Sequence, residues 1–119
     1  VTVANYNRVI LAGHLTRDPE LRYTPSGAAV CQFDLAVNRK WRAREQNEER
    51  EEVLFIECVC FARTAEAVSE HLHKGSACLV EGFLRLEKWT GKDKIERSKI
   101  RAVAESIQFL DGKDRDRQG

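Results

Sequence analysis

The longest apolar runs in this 119-residue chain are far too short to cross a bilayer, which takes about twenty residues, so a soluble protein is expected. No signal-peptide pattern stands ahead of the four cysteines at positions 31, 58, 60 and 78, and none of them forms a Cys-x-x-Cys pair. Each lies in a strand-like run, where a free thiol behaves as a small hydrophobe. A reducing, cytoplasmic interior is the expected setting. Internal repeats and low-complexity tracts are also missing.

The chemistry of catalysis is equally sparse. There is no phosphate loop and no glycine-rich dinucleotide motif, and no Ser, Cys or Lys has a recognisable activating context. Asp34, Glu57 and Glu81 are isolated acids in strand-like runs. Neither an enzyme nor a cofactor is expected. Metal binding would have to use Cys58-Val59-Cys60 with His71 or His73. Cysteines two apart on a strand lie about 6–7 Å from each other, and the spacing fits no usual zinc pattern. Two histidines two apart on a helix diverge. No metal site is expected.

Net charge is only +1, so the total does not point to nucleic acid. Its distribution does more. Residues 45–52 hold five acids and one base, which leaves the rest of the chain at +5. The length suits one domain, residues 1–110. Residues 111–119 contain no apolar side chain and are expected to be disordered.

Residues 53–63 (VLFIECVCFAR) read as a strand, rich in β-branched and aromatic residues and free of Gly and Pro. Alternation puts Leu54, Ile56, Cys58, Cys60 and Ala62 on an apolar core face. The other face carries Val53, Phe55, Glu57, Val59, Phe61 and Arg63, a mixture of rings and charges. Ahead of it, residues 7–15 form a first strand with Gly13 as a bend or bulge, and residues 28–41 a second. In the second, Cys31, Phe33, Leu35 and Val37 face inward. Strict alternation would send Trp41 inward too, but Arg39, Lys40, Arg42 and Arg44 crowd it, so a bulge or strand end is expected to turn it out. The acidic stretch 45–52 is expected as a loop.

Thr64–His73 reads as the one helix, with Thr64 as N-cap, Glu66 in the first turn and Gly75 as C-terminal cap. Its Ala65, Val68 and Leu72 recur at helical spacing. Residues 77–89 form another strand, with Leu79, Glu81, Phe83, Arg85, Glu87 and Trp89 on one face. Leu79 and Phe83 hint at a further interface. A turn at residues 90–93, a returning segment 94–102 and a last strand 103–110 complete the chain. Five strands with one helix between strands 3 and 4 describe an all-β Greek-key barrel of the OB type. A sandwich would want about seven strands and no such helix.

Trp41, Phe55, Phe61 and Trp89 are the candidate functional residues. Every base has a π face, so rings grip single strands with little sequence preference, at about 1–3 kcal/mol per stack. Arg42 and Arg44 flank Trp41, Arg63 follows Phe61, and Arg85 and Lys88 precede Trp89; such bases pair with phosphates and make binding salt-dependent. A lone strand Phe is as a rule core, so Phe55 and Phe61 are also compatible with core or inter-subunit packing. Two Trp residues ending strands amid bases are not so easily absorbed.

Several pieces of sequence, in order, bear a family resemblance: NRVILAGHL at residues 7–15, DPELRY at 18–23, Pro25-Ser26-Gly27, Ala65 to Val68 with Leu72 to Ser76, Val80 to Arg85, and Lys88-Trp89. Across nearly all of residues 5–110 the chain resembles the bacterial single-stranded DNA-binding protein family. That resemblance implies an OB-fold subunit forming a homotetramer that coats single-stranded DNA in replication, recombination and repair, in the cytoplasm at the nucleoid. It places the stacking positions on Trp41, Phe55, Phe61 and Trp89, with Phe55 where many members have Trp. It matches Arg63, Lys74, Arg85 and Lys88 to basic positions, while Glu57 and Glu87 stand where some members carry a base. The family also has a polar linker and an acidic tip that recruits replication and repair proteins. Here the sequence stops at Gly119, so a chain shortened by design or cleavage is expected. The other reading is an OB-fold replication-restart accessory or RNA-binding module that acts mainly through assembly.

Overall fold

The strand-rich runs fold into six strands and one helix in a computed structural model that describes residues 4–45 and 48–110. The segment 111–119, expected to be disordered, lies outside the described residues. In chain order the elements are β1 (Val9–Leu15), β2 (Glu20–Tyr23), β3 (Ala29–Ala43), β4 (Glu48–Phe61), α1 (Ala62–His71), β5 (Ala77–Thr90) and β6 (Glu96–Phe109). The sheet runs β1-β5-β6-β4-β3-β2, and β1 also pairs with β3. That second pairing closes β1, β5, β6, β4 and β3 into a five-stranded barrel. The helix follows the third barrel strand, as the OB architecture requires. β2 is a short strand beyond the five expected; it pairs with Ala29–Gln32, on the edge of β3 that β1 takes up at Leu35 and Ala36.

Alternation fills the barrel. Cys31, Phe33 and Leu35 of β3, Cys58 and Cys60 of β4, and Cys78 and Val80 of β5 are buried in one core, on which Ala65, Val68 and Leu72 of α1 and its C-cap also pack. Further out the same faces open: Leu54 and Leu86 are exposed because β4 and β5 have by then left the barrel as long hairpins.

Closure depends on two glycines. A Cβ at Gly13 would lie 2.2 Å from the Ala36 carbonyl oxygen, and one at Gly82 would lie 1.8 Å from that of Val103. Gly13 therefore serves a close crossing of β1 over β3 rather than the expected bulge, and the β1–β5 register runs unbroken through it. The bulge is at Glu81/Gly82, where β5 shifts register against β6.

Four expectations need correction. The acidic stretch is not all loop: from Glu48 it is strand, because its acids face bases across the β3–β4 ladder, with Arg39 opposite Glu52, Lys40 opposite Glu51 and Arg42 opposite Glu49. The helix begins two residues early. β4 stays paired through Phe61, and Ala62 turns the chain directly into the helix with φ at +56°. Phe61 is thus the N-cap without a side-chain hydrogen bond, no acid lies in the first turn, and Ala62 is exposed rather than core. At the other end Leu72 is the C-cap; Gly75, with φ at +90°, belongs to the next turn, where its N–H donates to the Leu15 carbonyl. Finally, β6 is one continuous strand from Glu96 rather than a returning segment followed by a separate last strand.

Candidate nucleic-acid interface

One outer face of the barrel collects rings and charges from four strands. Alternation puts Phe55, Glu57, Val59 and Phe61 of β4 outward, beside Lys99, Arg101 and Val103 of β6 and Phe83, Arg85, Glu87 and Trp89 of β5. Gln32 and Asp34 of β3 complete it. Phe55 is 70% exposed, Trp89 43% and Phe61 41%, far more than core rings. Val59 is buried on this outer face, where the parallel β4–β6 contact sets it beside Val103. A patch of apolar floor thus supports the rings.

A charge network links the rings. The Arg85 guanidinium lies 5.9 Å from the Phe61 ring centre, and the Lys99 ammonium 5.7 Å from that of Trp89. Both geometries are cation–π contacts. Between them, Arg85 reaches Glu87 at 3.4 Å and Arg101 reaches Glu87 at 3.1 Å. Arg101 Nε also donates to Glu57 Oε1 at 2.6 Å, and Lys99 Nζ lies 2.7 Å from the same oxygen. The Gln32 side-chain amide donates to the other Glu57 oxygen. Burial would push the Glu57 carboxyl up, but the hydrogen bonds and charges of Lys99 and Arg101 outweigh it and hold the group below its usual range. Phe55 edges a neighbouring cleft of about 300 Å³ lined by Thr16, Asp34, Ile56 and Glu57. Arg17 Nε caps Asp34 at 2.9 Å.

The other expected site residues lie elsewhere. β3 keeps an unbroken register with β4 through Ala43, so no bulge turns Trp41 out. Trp41 stays on the parity of Cys31 and Val37, and is 37% exposed because the hairpin has left the barrel there. Its neighbour is Arg39, 4.6 Å from the ring centre. Arg42 is on the opposite parity, and Arg44 lies just past the end of β3. Arg63 does not share a strand face with Phe61, since the helix has already begun. It lines a separate cleft with Thr64, Ala67, Ile107 and Phe109. Lys88 is on the inner parity of β5, opposite Ser98. Lys74 is exposed after the helix, where its backbone N–H donates to Asp18 at 2.8 Å.

The expected rings thus divide into Phe55, Phe61 and Trp89 on one face and Trp41 on another. Lys99, Arg101 and Gln32 are additions. The period-2 spacing of Arg97, Lys99 and Arg101 beside the Trp89 turn is the sequence signal that finds the first two. The thiols take no part in this face: burial pushes Cys58 up to about 12 and Cys78 to about 11. Among the described residues no three His, Cys, Asp or Glu side chains are placed to hold a metal, and no helix is long and apolar enough to cross a membrane.

Residues 6–110 match the Single-strand binding protein family. The chain belongs to that family. Among its curated relatives, the "Single-stranded DNA-binding protein" of Wolinella succinogenes is 47% identical over 108 residues, which are 91% of this chain and 66% of the relative. The protein of the same name from Helicobacter hepaticus is 46% identical over 91% of this chain and 63% of its own length. The chain thus spans a little under two thirds of these relatives. A solved structure, "Plasmodium falciparum SSB complex with ssDNA", superposes with a TM-score of 0.82 at 23% identity, covering 93% of this chain and all of that one. This single-strand binding family member therefore shares its barrel with a structure of low sequence identity, and most of its length with curated relatives.

Proposed function

We propose that this chain binds single-stranded DNA without sequence specificity, and protects it during replication, recombination and repair. The observation that carries the reading is the open outer face of β4, β5 and β6. There Phe55, Phe61 and Trp89 stand half-exposed or exposed beside cationic side chains, Arg85 at Phe61 and Lys99 at Trp89, an arrangement suited to stacking bases. The curated relatives are named for the same activity. Residues 1–110 act as the binding domain. Phe55, Phe61 and Trp89 are the stacking stations, with Arg85 beside Phe61. Trp41, with Arg39 against its ring, is a further station on the β3–β4 hairpin, and Arg42, Arg44, Arg63, Lys74 and Lys88 are outlying phosphate contacts. The work is binding rather than catalysis, in the cytoplasm at the nucleoid. The subunit assembles as a homotetramer, and replication and repair proteins are met through an acidic tail of the kind the family resemblance implies.

Titration with oligo(dT) is expected to quench Trp fluorescence, with affinity falling as salt rises. Equal affinity for a matched duplex at moderate salt would refute the reading. Preference for a matched RNA oligomer would turn it toward RNA. Sedimentation equilibrium at micromolar concentration is expected to give four times the chain mass; a monomer mass would reject the assembly.

A further inference from the structure

Glu57 stands in the middle of the ring-bearing face, and its two cationic partners are held very differently. The Arg101 side chain is 15% exposed and is shared between two carboxylates, Glu57 at 2.6 Å and Glu87 at 3.1 Å. Such a bridged, largely buried guanidinium is part of the fold, and removing it would leave two acids facing each other. The Lys99 side chain is 41% exposed, and Glu57, at 2.7 Å, is its acidic partner. It also lies against Trp89, 5.7 Å from the ring centre. A nucleotide stacked on Trp89 would carry its phosphate past this ammonium. Three bases (Arg85, Lys99, Arg101) meet two acids (Glu57, Glu87), so this network carries one net positive charge where its bases alone would supply three.

We propose that the Glu57 carboxylate is a built-in competitor for Lys99, occupying the ammonium that a phosphate beside Trp89 would otherwise take. The proposal rests on the single-strand reading and names how that face is held back. An incoming phosphate must displace Glu57 from Lys99 or share it. Binding through this station therefore releases about one counterion fewer than the bases alone predict. Arg101 remains in place throughout, pinned by Glu87. The consequence is a face that grips chiefly by stacking and is weakly held by charge.

Glu57→Gln keeps the shape and an acceptor oxygen for Arg101 while removing the charge. It is expected to bind oligo(dT) several-fold more tightly at low salt. The plot of log affinity against log salt should steepen by about 0.7, the value of one phosphate contact on a single strand. Lys99→Met should weaken the Glu57→Gln chain several-fold more than it weakens the unaltered chain. An unchanged or shallower slope for Glu57→Gln, or equal effects of Lys99→Met in both backgrounds, overturns the proposal. If Glu57→Gln does not fold, as judged by thermal unfolding, Lys99→Met alone decides. A loss of less than about twofold on the unaltered chain supports a lysine already neutralised, and a larger loss refutes it. Failure of the unaltered chain to bind oligo(dT) would refute the single-strand reading together with this one, whereas normal binding with no Glu57→Gln effect removes the competitor alone.

Discussion

Trp89 and Phe61 are set by neighbours that hold them from beside and below. Lys99 and Arg85 lie against the two rings, and Val59 and Val103 fill the floor between the strands. Trp89→Ala and Phe61→Ala are each expected to weaken oligo(dT) binding by about 1–3 kcal/mol while leaving thermal unfolding nearly unchanged. Trp41 belongs to the other parity of its hairpin. On an oligomer of about five nucleotides, near the small end of what one OB fold covers, Trp41→Ala should therefore be nearly silent where Trp89→Ala is not. Equal losses on the short oligomer would show that one strand reaches both faces. That Phe61 and Trp89 lie outward was legible in sequence, because alternation sets each of them on a face with charged residues. The partners of Glu57 were not. Gln32 comes from the neighbouring β3, and Lys99 and Arg101 from β6 through a parallel contact of two residue pairs; their period-2 spacing marks them as outward bases, but no local pattern sets them beside Glu57.

At the level of elements, the β3–β4 hairpin shows where composition misleads. Five acids in eight residues suggest a solvated loop, yet three of them, Glu49, Glu51 and Glu52, each stand opposite a base of β3 and the stretch from Glu48 is strand. Cross-strand opposite charges are each worth only about 0.2–1 kcal/mol, so the ladder is weak singly and effective as a row. The core strands were readable because alternation of Cys, Phe, Leu and Val survives without tertiary help. The start of the helix was not, because Thr64 and Glu66 look like cap and first turn until the strand pairing of Phe61 moves the boundary back. Gly82 is the position where an element tolerates least. Its added Cβ would meet a backbone carbonyl, not a flexible side chain, so Gly82→Ala should cost about 3 kcal/mol, the upper end of overpacking penalties. A lowered urea midpoint at an unchanged m-value would show it.

For the whole molecule, buried thiols and the Glu57 network make stability depend on pH from both sides. The folded Glu57 carboxyl is held below its ordinary value of 4.5. Its stabilising contribution is therefore present above that pH and lost as pH falls through the folded value. Cys58 and Cys78 run the other way. Burial raises Cys58 from 9.0 to about 12 and Cys78 from 9.0 to about 11, so their contribution is full below pH 9 and declines as the unfolded chain alone ionises. Each thiol should remove about 1.4 kcal/mol of stability per pH unit above 9, until the folded thiol also ionises. Tm measured from pH 8 to 11 is expected to fall, and less so in Cys58→Ala measured against its own value at pH 8. An unchanged alkaline slope in that variant would show that other groups govern it.

The two narrow seams of the barrel have a kinetic consequence. β3 with β4, and β5 with β6, are hairpins of near neighbours in sequence, while β1–β3 and β4–β6 meet at only two residue pairs each. Chain-entropy cost favours local closure before distant closure. The hairpins should therefore form in the rate-limiting step of folding and the seams zip afterwards. Substitutions at Phe33 or Leu84 would then slow refolding, whereas Gly13→Ala, at the β1–β3 crossing, would chiefly speed unfolding.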